Sequence, residues 1–254
     1  RFAGIVRLAS TLALPALIGL LAPPHLAQAQ PGSFQTAEAA RKGKPAPKKT
    51  APKESNGYAA MPLAERVGIQ FDLAWTGHHN GLIDGEFNEK AVAAVKAFQR
   101  DNGFRESGVL APPERAQLAA LSKAAQARAG WTMVEDKATG AQVGLPAKLT
   151  PNMTRAGSGT RWSSAQGQVQ IETFRIREPG TTLAAVFEQQ KRQPPNRRPG
   201  VNLLRDDFFI LSGLQGLKKF YVRAQIRDLE VRGLTILYDQ ATEGIMDPVT
   251  VAMG

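Results

Sequence analysis

Between residues 62 and 128 the apolar positions recur at helical spacing. Leu63, Val67, Phe71 and Ala74, with Ile69 and Leu73 beside them, form one broad stripe and predict a first helix. Gln70 falls inside that stripe. A buried amide has to be hydrogen-bonded, so its expected role is to satisfy the backbone of the loop that follows. A second helix starts at Asn88, a residue suited to the N-cap, with Phe87 and Val92 placed as a hydrophobic staple and Gly103 closing the far end. Ala91, Val92, Ala94, Val95 and Phe98 form its inner face, and Lys90, Lys96 and Arg100 point outward. Pro112 and Pro113 open a third helix whose Leu118 and Leu121 are expected to complete the core.

From Trp131 the period changes. Val169, Ile171 and Thr173 alternate, then Phe174 and Ile176 continue on the opposite parity after a polar turn at 163–167. A helix is predicted over 182–191, with Leu183, Val186 and Phe187 on one face. Arg197, Arg198, Pro199 and Gly200 read as a loop, and strands follow at 207–212, 219–226 and 232–238. Links at 213–216 and 228–230 suit antiparallel hairpins. Residues 248–254 resemble the opening turn of a last helix, so the chain is expected to be cut short there. The predicted fold class is α+β with two domains: a three-helix module over 58–129, then an antiparallel-sheet α+β domain over 131–254.

Ahead of both lies a different composition. Arg1 and Arg7 precede an apolar stretch at 8–22, followed by Pro23 and Pro24 and a small-residue site at Ala27, Gln28 and Ala29. This predicts a signal peptide over 1–29 and a periplasmic or secreted, wall-associated product. A retained anchor is the alternative, but the stretch is short for a span and is broken by Pro15, so no stable membrane span is expected after cleavage. The first residue is Arg, which suggests a fragment at the start.

Charge sharpens this division. The formal net charge is +10, with eight basic and two acidic residues over 1–56, eight of each over 57–130, and sixteen against twelve over 131–254. Arg41, Lys42, Lys44, Lys48, Lys49 and Lys53 alternate with prolines, so 30–57 is expected to be a disordered linker, either a plain spacer or a cationic arm for anionic wall polymers. Nucleic acid is not an expected partner, because binding it would need a basic folded face with aromatic interleaving and the leader argues against access to it.

The segment from Ile69 and Gln70 through Gly77, His78, His79, Asn80, Gly81, Asp84, Gly85, Glu86, Phe87, Ala94, Val95, Phe98, Gln99, Gly103, Gly108 and Val109 to Leu118 resembles the peptidoglycan-binding-like domain family. The resemblance implies a small three-helix fold that binds peptidoglycan or a related wall polymer. The chain departs from the family pattern at Ala91 and Glu114, where threonine is usual, at Asn88, where glycine is usual, and at Phe104, where leucine is usual. Candidate ligand residues are Trp75, His78, His79, Asn80 and Asp84. Trp75 has two readings, an exposed indole on which a sugar ring packs or a cap on the core. Packing is the default role for His78 and His79, which as neighbours in a loop are poorly placed to share a metal. Asp84 and Gly85 read as a turn, too sparse in carboxylates for calcium. The second domain resembles small α+β folds of the photosystem-extrinsic type, in topology and in the Gly-Leu-Pro and Gly-Thr-x-Trp entry from Gly144 to Trp162.

Catalysis finds little support in the composition. The chain has no cysteine, which removes thiol nucleophiles, disulfides and lipidated cysteine together. No histidine follows His79, so a serine triad cannot be built within the second domain, and neither Ser158 nor Ser212 sits in a nucleophile elbow. Glu172, Glu178, Asp206, Asp207 and Glu230 are available for glycan cleavage, but no spacing pairs them. Lys191, Arg192, Arg197, Arg198, Lys218, Lys219 and Arg223 are a possible basic patch for stem-peptide carboxylates or an acidic envelope partner. The expectation is an exported, non-enzymatic peptidoglycan-binding protein that acts as a wall-anchored adaptor, with no catalytic residues, metal or cofactor. A carboxylate-based wall hydrolase and a protein-docking module that has lost wall binding are the alternatives.

Overall fold

The structure, a computed structural model, describes residues 57–254. The expected leader and nearly all of the expected linker lie outside the described residues. Among those described, no helix is long and apolar enough to cross a membrane.

Three helices come first: α1 (Leu63–Trp75), α2 (Glu89–Asp101) and α3 (Pro112–Ala129). The start of α2 follows its sequence, with Asn88 Oδ1 accepting from the amides of Lys90 and Ala91 at 3.0 and 3.2 Å. Its end is a Schellman turn. Gly103 takes φ of 75°, its N–H reaches the Arg100 carbonyl, and the Phe104 N–H reaches that of Gln99. Tyr58, Ile69, Leu73, Phe87, Val95, Phe98 and Leu118 form the core of this module.

Two expected core leucines lie outside it. Leu121 is 42% exposed because the inward stripe of α3 runs through Leu118, Ser122 and Ala129. Leu63, 57% exposed, sits in the first turn of α1, where its methyl covers Gly85. That glycine has φ of 80° and no room for a Cβ beneath Leu63.

A separate hairpin follows, β1 (Trp131–Asp136) with β2 (Ala141–Pro146). Trp131 lies over Gly144, where any Cβ would overlap the indole. The main sheet comprises β3 (Asn152–Ala156), β4 (Gly159–Ser163), β5 (Val169–Ile176), β6 (Arg197–Leu204), β7 (Phe208–Gln215), β8 (Lys218–Arg227) and β9 (Glu230–Asp239). Its order is β3-β4-β5-β9-β8-β7-β6, antiparallel throughout. The segment that reads as a loop at 197–200 is the start of edge strand β6. Proline is tolerated there because an edge strand needs only one hydrogen-bonding side, and a register shift between Pro199 and Val201 absorbs the irregularity.

Helix α4 (Leu183–Arg192), capped by Thr182, covers one sheet face. It sets Leu183, Val186 and Phe187 against Phe209, Leu211, Phe220 and Val222. The other face meets α5 (Glu243–Met253), the β1–β2 hairpin and the helical module. Trp75, Ala129, Val143, Leu145, Trp162, Ile171, Ile236, Met246 and Val249 form this core, and α1 packs along α5. Coverage of both faces explains the parity change in β5. Val169 and Ile171 enter the α5 core, whereas Phe174 and Ile176 enter the α4 core.

Candidate functional site

The loop between α1 and α2 is held from inside by side chains. Gln70, 1% exposed, accepts the Gly85 N–H at 2.6 Å and donates to the Glu86 carbonyl at 2.9 Å. It thus meets the requirement that its burial imposed. Gln99 repeats the device one helix later, accepting from Gly108 at 2.9 Å and donating to the Val109 carbonyl at 3.0 Å. Gln99 carries the same sequence signal as Gln70, an amide placed between an apolar core position, Phe98, and the next loop.

The five candidate ligand residues separate on this frame. Trp75 is 3% exposed and packed edge-on against Trp131, so its ring is not a platform for sugar and the core-capping reading is the one the structure has. His79 is buried, with Nε2 3.0 Å from the Leu82 carbonyl, and folds the loop on itself. His78 lies edge-on to Phe98, with Nδ1 3.0 Å from Thr76 Oγ1 and Nε2 3.3 Å from Asp101 Oδ2. Only Asn80 and Asp84 are exposed. Asp84 Oδ1 accepts from the Glu86 amide at 2.9 Å and from Gln70 Nε2 at 3.3 Å.

What the loop faces was not legible in the sequence. A cleft of about 750 Å³ separates residues 79–84 from the sheet surface of β6, β7 and β8 and from the last turns of α5. Asn80, Leu82 and Ile83 line one side, and Leu203, Ile210, Ser212 and Tyr221 line the other. A second cleft of about 470 Å³ lies against Arg205, Asp207 and Arg223. Residues 82–84 line both and so form the ridge between them. These walls come from chain segments more than a hundred residues apart, and no local pattern joins them.

At the α5 end of the larger cleft stands an ionic network. Lys219 Nζ reaches Asp247 at 2.8 Å and Glu243 at 3.2 Å, and the Tyr238 hydroxyl donates to Asp247 at 2.6 Å. Partial burial opposes the charge on Lys219, but its bonds to Asp247 and Glu243 outweigh that and raise its pKa. Burial, followed by the bond to Asp247, pushes the Tyr238 phenol up.

The seven basic candidates do not converge. Lys191 and Arg192 both pair with Glu188. Arg197 is turned toward α4, donating to the Gln190 carbonyl at 2.7 Å and stacking over Phe220, and burial lowers its pKa. Lys218 pairs with Asp239, and Arg223 lies over Phe208 beside the smaller cleft. Arg198 is exposed on the edge strand.

Two carboxylates considered for glycan cleavage are held by guanidinium groups. Glu172 is 2.9 Å from Arg161. Glu230 binds Arg232 at 2.9 Å, Arg175 at 2.7 Å and Arg177 at 2.7 Å. The Arg232 bond leads in holding Glu230 ionised down to a pKa of about 2, with Arg175 and Arg177 adding to it. Asp136 was not singled out by the sequence. It is 3% exposed and accepts from Thr139 at 2.5 Å, Thr173 at 2.7 Å, Thr160 at 2.7 Å and the Ala138 amide at 3.1 Å. Burial disfavours its charge, but these four donors outweigh burial and lower the pKa.

No curated protein matches the chain. Residues 64–118, which run from the first turn of α1 into α3 and include both glutamine-clamped loops, match the family model described as "Putative peptidoglycan binding domain", and this part of the chain is a peptidoglycan-binding-like domain.

Proposed function

We propose that this protein is an exported, wall-associated adaptor that holds peptidoglycan through its helical module, presents its α+β domain to an envelope partner, and does not cut the polymer. The observation that carries this reading is the match of residues 64–118 to a peptidoglycan-binding domain whose first interhelical loop borders an open cleft. The basic and proline-rich residues before Gly57 and the apolar stretch at 8–22 support export and tethering. A non-catalytic role is supported by the lack of cysteine and by the guanidinium groups that occupy Glu172 and Glu230. A carboxylate that serves as general acid needs a raised pKa, and that of Glu230 is lowered.

Co-sedimentation of the protein with purified peptidoglycan sacculi tests the reading, with the supernatant assayed for released muropeptides. Binding without release is the expected result. Release of muropeptides would overturn the non-enzymatic role, and failure to sediment would overturn wall binding itself.

A further inference from the structure

We infer that the cleft between residues 79–84 and the β6–β8 surface is a composite site for the peptide part of the wall polymer, so the α+β domain supplies half of the binding surface. This rests on the wall-binding reading above and specifies which part of the polymer is held.

The argument begins with what the cleft lacks. Sugar rings pack on flat, accessible aromatic faces. Trp75 and Trp162 are 3% and 8% exposed within the core, and Trp131 is packed between Trp75 and Gly144. Of the aromatic residues bordering the cleft, Phe220 and Tyr238 are 2% and 4% exposed, and Tyr221 packs against the α5 core. No indole lines the cleft, Phe220 and Tyr238 are buried, and Tyr221 is half-buried against the α5 core.

Branched aliphatic side chains take their place: Leu82 and Ile83 on the loop, Leu203 and Ile210 on the sheet. Such surfaces receive small methyl side chains. Asn80 and Ser212 add donors and acceptors suited to peptide amides. Both signs of charge are present on the helical side, at Asp84 and Lys90, while Lys219 and Asp247 on the other side are paired with each other. That combination complements a ligand with both an ammonium and a carboxylate group.

A further observation points to a ligand. Thr250 lines the cleft and is 6% exposed, and its Oγ1 makes no well-formed hydrogen bond among the described residues, the Tyr238 hydroxyl being the group near enough to receive a weak one. A buried hydroxyl without a well-formed partner is uncommon in folded proteins. A bound amide or carboxylate would satisfy it. The cleft volume, about 750 Å³, also lies within the roughly 300–1,000 Å³ typical of small-ligand sites.

The alanine-rich stem peptide of peptidoglycan, with its free carboxylates and diamino acid, has this chemistry. The test uses the full chain with three probes: intact sacculi, sacculi stripped of peptides by an amidase, and a synthetic stem tetrapeptide. Intact sacculi should bind, stripped glycan should lose most binding, and the tetrapeptide should compete. Leu203→Glu, on the sheet side of the cleft, should weaken binding about tenfold or more by placing a charge against apolar surface. Asn80→Ala, at an exposed side chain, gives a second variant with little risk to folding, and unfolding curves recorded for both should match the parent. Equal binding of intact and stripped sacculi, with no competition by tetrapeptide, overturns the peptide site and leaves wall binding standing. Failure to bind either sacculus overturns both.

Discussion

The Trp75 indole stands edge-on to Trp131, with ring centroids 5.0 Å apart and planes inclined at 78°. One ring ends α1 and the other begins the β1–β2 hairpin, so this pair joins the helical module to the sheet domain. Phe71 adds a third ring 6.2 Å from Trp75. The hydrophobic cluster around them continues through Ala129 into Met246 and Val249 of α5. A residue that sequence offered as a sugar platform is therefore a joint, and that difference is measurable.

Trp75→Ala should lower stability by about 3–5 kcal/mol, the range for deleting a large buried aromatic. The folded fraction should bind sacculi as the parent does. Trp75→Phe should cost much less, because Trp75 Nε1 is buried without a partner among the described residues and its removal relieves an unmet donor. Urea unfolding of both variants beside sacculus binding separates the cases. Loss of binding at unchanged stability would return Trp75 to the ligand surface.

Gln70→Leu should be costly despite its similar volume. The substitution strands the buried Gly85 N–H, at a cost of about 1–3 kcal/mol, and removes the donor to the Glu86 carbonyl. Amide exchange at Gly85 should accelerate more than exchange at Gly108, which belongs to the separate Gln99 clamp. Equal acceleration at both glycines would mean that the loops open together.

How far the sequence carried the fold depended on whether a residue's partners were local. Asn88, Gly103 and Gln70 act within one helix or its next loop, and each was legible from its own surroundings. The parity change after Thr173 was visible, and sheet coverage on both faces explains it. Strand β3 was invisible because most of its residues are exposed and do not alternate. Strand β6 was hidden by its Arg-Arg-Pro-Gly start. The cleft could not be read at all, since Leu82, Ser212 and Thr250 meet only through the packing of α1 on α5.

The dispersed basic residues lead to a prediction of no effect. Lys191 and Arg192 pair with Glu188 on α4, and neither lines the cleft. Exposed ion pairs of this kind contribute about 0–1 kcal/mol. Replacing both with serine should leave sacculus binding and its salt dependence unchanged. A reduced salt slope on sedimentation would instead place these residues against the anionic polymer.

Asp136 sets an acid limit on the fold. Its folded pKa is lowered, so the stability it contributes is fully present above the ordinary carboxylate value of about 3.9 and is lost as pH falls from there through the folded value. Glu230 acts with the same sign, and its loss extends from its ordinary value, near 4.5, down to about 2. The two differ in what protonation does. Glu230 lies among guanidinium groups near the surface, whereas Asp136 is buried and ties Thr139 of the hairpin to Thr160 of β4 and Thr173 of β5. Protonating Asp136 turns an acceptor of four hydrogen bonds into a group that must donate one, and the hairpin then loses its attachment to the sheet. Denaturant unfolding from pH 6 to pH 2.5 should show stability falling below about pH 4. Asp136→Asn should start about 1–3 kcal/mol less stable at pH 7 and fall less steeply. An Asp136→Asn profile parallel to the parent's would assign the acid sensitivity to Glu230 and its arginines, and Glu230→Gln would then flatten it.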